Sequence, residues 1–173
     1  EFILQDLDHN EDRLRGTYDF PFEFHHIDAG HPRYVMSYHW HVECEIMRVL
    51  QGTLTVTLDE KSFTATAGDI IFVHSGILHS GIPEDCVYQC IVFDGNTFLK
   101  NNSVCAGYMQ KIIHQEILIY HHFTPKYVDI CATVNSLFDA LWKKPSGYEL
   151  SVLGQFYHFF GLIFGNHYYL DSQ

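Results

Sequence analysis

The hydrophobic rhythm of this chain changes near Asn101, and that change limits the folds open to it more than any other feature. From Thr17 to about Phe98 the apolar stretches are short, rich in β-branched and aromatic residues, and closed by turn signals. Tyr18–Ile27 is aromatic and interrupted by Pro21, and Tyr34–His41 alternates. Glu45–Leu50 and Thr53–Leu58 read as a hairpin joined through Gln51-Gly52. Phe63–Thr66 runs into a Gly68-Asp69 turn, and Ile70–Val73 and Val87–Phe93 follow as β-branched apolar segments. Short strands at this spacing predict a mainly β sandwich or small barrel over residues 17–100.

Beyond Asn101 the period becomes helical. Tyr127, Ile130, Cys131, Val134, Leu137, Phe138, Leu141 and Trp142 recur at intervals of three and four, one apolar face of an amphipathic helix. Thr124 and Pro125 predict its N-cap and first turn, and Lys143-Lys144-Pro145 its end. Ser146 and Glu149 have capping-box spacing for a second helix, lined by Val152, Leu153, Phe156, Phe159, Phe160 and Ile163. The short turn between them predicts an antiparallel pair. Leu150 to Leu170 holds no Asp, Glu, Lys or Arg over 21 residues, long enough to span a bilayer. Its Ser151, Gln155, His158, Asn166, His167 and three glycines would be costly in hydrocarbon. The expectation is instead no membrane span but a helix covered by its own domain and by a second subunit. Residues 101–173 would then carry a homodimer contact anchored by Leu137, Leu141, Phe156 and Phe160.

Composition removes other classes. With 173 residues, 47% apolar and 18% charged, the chain has material for one domain and a real core. The net charge of −11 excludes a broad basic face for nucleic acid within these residues. Five cysteines, with no CxxC pair, speak against a disulfide framework or zinc knuckle and for a reducing, cytoplasmic setting. Cys44 has packing parity. Cys86 and Cys90 share a strand face but lie too far apart for a bond. The chain opens on Glu1, which reads as a domain cut from a longer protein, with residues 1–16 as an N-terminal arm.

The chemistry is concentrated in His39-Trp40-His41-Val42-Glu43-Cys44-Glu45, followed by Gly52. Histidines at i and i+2 of a strand face the same side, and Glu45 keeps that parity. Two imidazoles and a carboxylate on one concave face lack only one or two ligands of a divalent metal site, and His79 is the candidate for the next. Glu43 shares the parity of Glu45 and is the alternative carboxylate. His74 reads as a turn residue, and the adjacent pairs His25-His26 and His121-His122 cannot chelate from a strand.

These positions resemble the two cupin motifs. His39, His41, Glu45 and Gly52 match the first; Gly68, Gly76 and His79 match the second, with Arg33, His74 and Pro83 standing at turn positions where the motifs have Gly, Pro and Asn. A single cupin followed by two amphipathic helices resembles the N-terminal effector-binding and dimerisation domain of AraC-type transcription regulators. That resemblance implies a cupin (double-stranded β-helix, or jelly roll) with a C-terminal antiparallel helix pair. It also implies a small-molecule effector bound near His39, His41, Glu45 and His79, and one divalent metal (Zn, Ni, Mn or Fe) on the same four residues. The homodimer would form through the helices, and DNA would be contacted only through a helix-turn-helix domain beyond Gln173. Such a domain senses and has no catalytic residues; a metal-dependent cupin dioxygenase or isomerase is the alternative.

Overall fold

A computed structural model describes Arg13, residues 15–99 and residues 103–172. Most of the expected N-terminal arm therefore lies outside the described residues. Its end does not: Arg15 is buried and donates to Glu23 at 2.9 Å.

Two strands of 15 residues each organise the β domain, β3 (Cys44–Leu58) and β6 (His79–Phe93). They run antiparallel along their whole length and bend together, so each belongs to two leaves of a jelly roll. In one leaf the first half of β3 and the last half of β6 are flanked by β1 (Phe22–Ile27) and β5 (Ile70–Val73). In the other, their opposite halves are flanked by β2 (Met36–His39) and β4 (Lys61–Thr66). The mainly β cupin expected from the sequence is present.

The bend lies where a hairpin was expected. Gln51-Gly52 does not reverse the chain; β3 runs through it, and the β3–β6 register slips between Val49 and Thr53. Gly52 sits at φ +72°, where a Cβ would collide with the backbone of Asp85, itself at φ 46° on the facing strand. A bulge needs the same left-handed glycine as a tight turn, so sequence alone cannot separate the two.

The second part of the chain is less purely helical than expected. A 3₁₀ turn (Gly95–Leu99) and α1 (Ser103–Ile113) precede β7 (Ile117–Ile119) and β8 (His122–Phe123). β8 pairs with β5, extending the first leaf, and β7 pairs with β9 (Tyr169–Asp171). The antiparallel pair is α2 (Val128–Lys143) and α3 (Tyr148–Asn166). Neither start matches its predicted cap. α2 begins after Tyr127 rather than at Thr124-Pro125, and α3 begins after Gly147 at φ 79°. Ser146 and Glu149 form no capping box, because the left-handed Gly147 already sets the entry angle.

Strand alternation divides the core. Met47, Val49, Tyr88 and Cys90 point between the two leaves. Ile46, Ile91 and Phe93 point outward and meet Leu137, Phe138, Phe156 and Phe160 of the helices. Phe156 stacks on Phe22 at 5.0 Å and meets Phe93 at 4.7 Å and Phe98 at 5.4 Å. This corrects the expected interface: Leu137, Leu141, Phe156 and Phe160 are at most 4% exposed within the single chain, so they anchor helices to sheet. The outward face of the first leaf supplies the apolar surface that a second subunit was expected to provide. Among the described residues, no helix is long and apolar enough to cross a membrane.

Candidate metal centre

The site forms where β2 ends and β3 and β6 begin. His39 and His79 are cross-strand neighbours in the β2–β6 ladder. His41 lies just beyond β2, in a loop held by Gly76 N–H donating to the His41 carbonyl at 2.9 Å. Glu45 comes from β3, between β5 and β6. The Ser75-Gly76 turn brings the strands to this point, and the Ser75 hydroxyl donates to the Val42 carbonyl.

One nitrogen from each of His39, His41 and His79 and one oxygen of Glu45 lie within 4.8 Å of one another. All but His39 are fully buried. Each imidazole is oriented in the same way. Nδ1 of His39, His41 and His79 lies 2.8, 2.9 and 2.8 Å from the carbonyls of Ser37, Glu43 and Ile77. A carbonyl only accepts, so each Nδ1 carries the hydrogen and each Nε2 is left to act as a ligand. His41 Nε2 is buried without a hydrogen bond, 3.4 Å from Glu45 Oε2. His79 Nε2 is 2.9 Å from the same oxygen. Two such acceptors approach this closely only with a cation between them, a proton or a metal ion.

The electrostatics agree. Burial opposes the Glu45 charge, but His41 and His79 outweigh it and hold its carboxyl well below the usual range. Burial likewise opposes a charged His41, yet the Glu45 carboxylate beside it leaves its pKa raised. Cys90, which borders the site, is pushed well up by burial and by Glu45 and stays a thiol. Three imidazoles and one ionised carboxylate converging from fixed tautomers fit a first-row divalent ion.

A cavity of about 40 Å³ adjoins the cluster, bordered by Arg15, His25, Met36, Tyr88 and Cys90 among others. Glu43 is not part of the cluster: it is buried beside Arg15, with Oε1 3.7 Å from Nε. His74 opens a turn, its carbonyl accepting the Ile77 N–H at 3.3 Å, and its side chain is buried, with Nε2 accepting the Ile119 N–H at 2.8 Å. Of the adjacent pairs, His25 reaches the cavity and His26 the helices, the opposed directions that strand geometry requires. His122 bonds Asp69 at 2.7 Å. Arg15 carried no sequence signal, because it lies outside the strand pattern and only folding brings it to Glu23. A wider groove of about 550 Å³ lies apart from this site, between α1 and α3.

A jelly roll with a cluster of three imidazoles and a carboxylate at the meeting of its long strands, and helices covering the opposite face of one leaf, defines a cupin-type ligand-binding domain. The chain belongs to the AraC-like ligand binding domain family, whose model matches residues 21–160. It is 25% identical over 126 residues to the uncharacterized HTH-type transcriptional regulator YdeC of Bacillus subtilis (strain 168), a match covering 68% of this chain and 42% of that protein. The chain thus spans less than half of that relative. Solved structures similar to it include an HTH_3 family transcriptional regulator from Vibrio cholerae (24% identity, 44% of this chain and 45% of that one, TM-score 0.37). An oxalate decarboxylase variant from Bacillus subtilis matches at 24% identity, over 35% of this chain and 18% of that one, with a TM-score of 0.32.

Proposed function

We propose that this chain is the effector-sensing domain of a transcription regulator, and that His39, His41, Glu45 and His79 hold a divalent metal that forms part of its effector site. The observation that carries this reading is the convergence of four ligand groups, three of them buried, on one point with all three imidazoles locked in the ligating tautomer. The metal would supply a fixed positive charge with open positions, and the protein residues would orient what binds there. Such a domain works by differential affinity for two states, not by turnover. Residues 17–100 form the sensing unit, residues 101–173 the helical segment that links it to a second subunit, and DNA is reached through a further domain. A regulator with this organisation acts in the cytoplasm.

The test is elemental analysis of protein purified without chelator or histidine tag. About one equivalent of a single transition metal is expected in the wild type. His41→Ala should lose most of it, because one missing imidazole leaves an incomplete shell. Metal content at background in the wild type would overturn the metal reading. Metal-dependent oxygen consumption or isomerisation by the domain would favour the enzymatic alternative.

A further inference from the structure

Behind the pocket, a single row of polar side chains crosses the first leaf. His26, Gln89 and Arg48 are paired in register on β1, β6 and β3. Arg48 Nε donates to Gln89 Oε1 at 2.8 Å, and Gln89 Nε2 donates to His26 Nδ1 at 2.9 Å. On the far side Arg48 leaves the sheet for α2: Nη1 donates to Asn135 Oδ1 at 3.1 Å and Nη2 to Asp139 Oδ1 at 3.0 Å. Its guanidinium also lies 5.0 Å from the centre of the Phe138 ring, and the His26 ring lies 4.4 Å from that of Trp142. Gln89 is 1% exposed and Arg48 6%.

Two features set this row apart from ordinary packing. Its surroundings, Ile46, Ile91, Phe24, Leu137 and Phe138, are apolar, where an arginine costs more than a leucine unless every bond is made. And its members back directly onto the pocket. His25, next to His26, and Cys90, next to Gln89, border the cavity; Glu45 lies three residues before Arg48 on the same strand. Successive residues of a strand face opposite sides, so a shift of these three strands on the pocket side also moves the row.

We propose that the His26–Gln89–Arg48 row couples occupancy of the pocket to the position of α2. The proposal rests on the metal reading above for its probe, not for its geometry. Hydrogen bonds are direction-dependent, so the row resists small displacements of sheet against helix that a greasy contact would absorb.

The probe is the divalent metal found in the purified domain, removed and then added back. Hydrogen exchange across residues 128–143 is followed with and without it. Addition should slow exchange there by about fivefold or more, the lower range for coupled sites. Asp139→Asn, at a half-exposed position, and Arg48→Met, which keeps the stem packing, should bind the metal as wild type does yet lose that response. Metal binding with no change in α2, or an unchanged response in both variants, overturns the coupling. If the wild type takes up no metal, the metal reading fails by itself. The row is then decided by combining Glu45→Gln with Asp139→Asn: non-additive shifts in the unfolding midpoint support the coupling, and additive ones overturn it.

Discussion

Gly52 and Gly107 show how differently one residue type can be used. At Gly52 the backbone is left-handed and the facing Asp85 backbone leaves no room for a Cβ; Gly107, within α1, has no atom within 4 Å of one. Gly52→Ala should cost at least about 2 kcal/mol, whereas Gly107→Ala should stabilise by about 0.5–1 kcal/mol. Urea titration of the two variants separates these outcomes. His74 makes a prediction in pH. Burial, followed by the charge of His121, lowers its pKa from 6.5 to about 4. Between those values the unfolded chain binds the proton and the folded chain does not, so this contribution to stability falls as pH drops from about 6.5 to about 4. His74→Gln keeps an acceptor for the Ile119 N–H without the titration. Stability measured at pH 7 and pH 5 should therefore fall less in that variant than in the wild type.

At the scale of elements, α3 has two unlike faces. Its inner face, Val152, Phe156, Phe159, Phe160 and Ile163, is buried within the chain. Phe156→Ala should cost about 3–5 kcal/mol, seen as a lower denaturation midpoint, because its ring fills the gap between Phe22, Phe93 and Phe98. Glu at Phe156 and Phe160 should unfold the domain rather than separate subunits. Period and face of α2 and α3 were legible in the sequence, since apolar spacing depends only on helix geometry. Their starts were not: Gly147 overrode the capping signal at Ser146 and Glu149. The long strands were half legible. β5 was read at its full extent, but the joining of Glu45–Leu50 to Thr53–Leu58 depended on what lay opposite Gly52.

For the whole molecule, the outer face of α3 carries Leu150, Gly154, Tyr157, Gly161 and Gly165, all exposed and none charged. Leu150 is 79% exposed and Tyr157 39%. The proposed dimer is expected to use this face. Leu150→Glu with Tyr157→Glu should give monomers that keep the fold, read by sedimentation and far-ultraviolet circular dichroism; an unaltered dimer in that variant would exclude the face.

What the sequence determined by itself was whatever depends on near neighbours and strand parity: the switch from strands to helices, the shared face of His39, His41 and Glu45, and, through motif spacing, the place of His79. Tertiary structure alone decided what each surface meets. The helical aromatics could equally have covered a sheet or a partner, since apolar burial has no direction and a side chain does not record its neighbour. Arg48 gave no sign of its role, because Gln89, Asn135 and Asp139 lie 41, 87 and 91 residues away along the chain. The directional bonds that define that role exist only once the first leaf and α2 have come together.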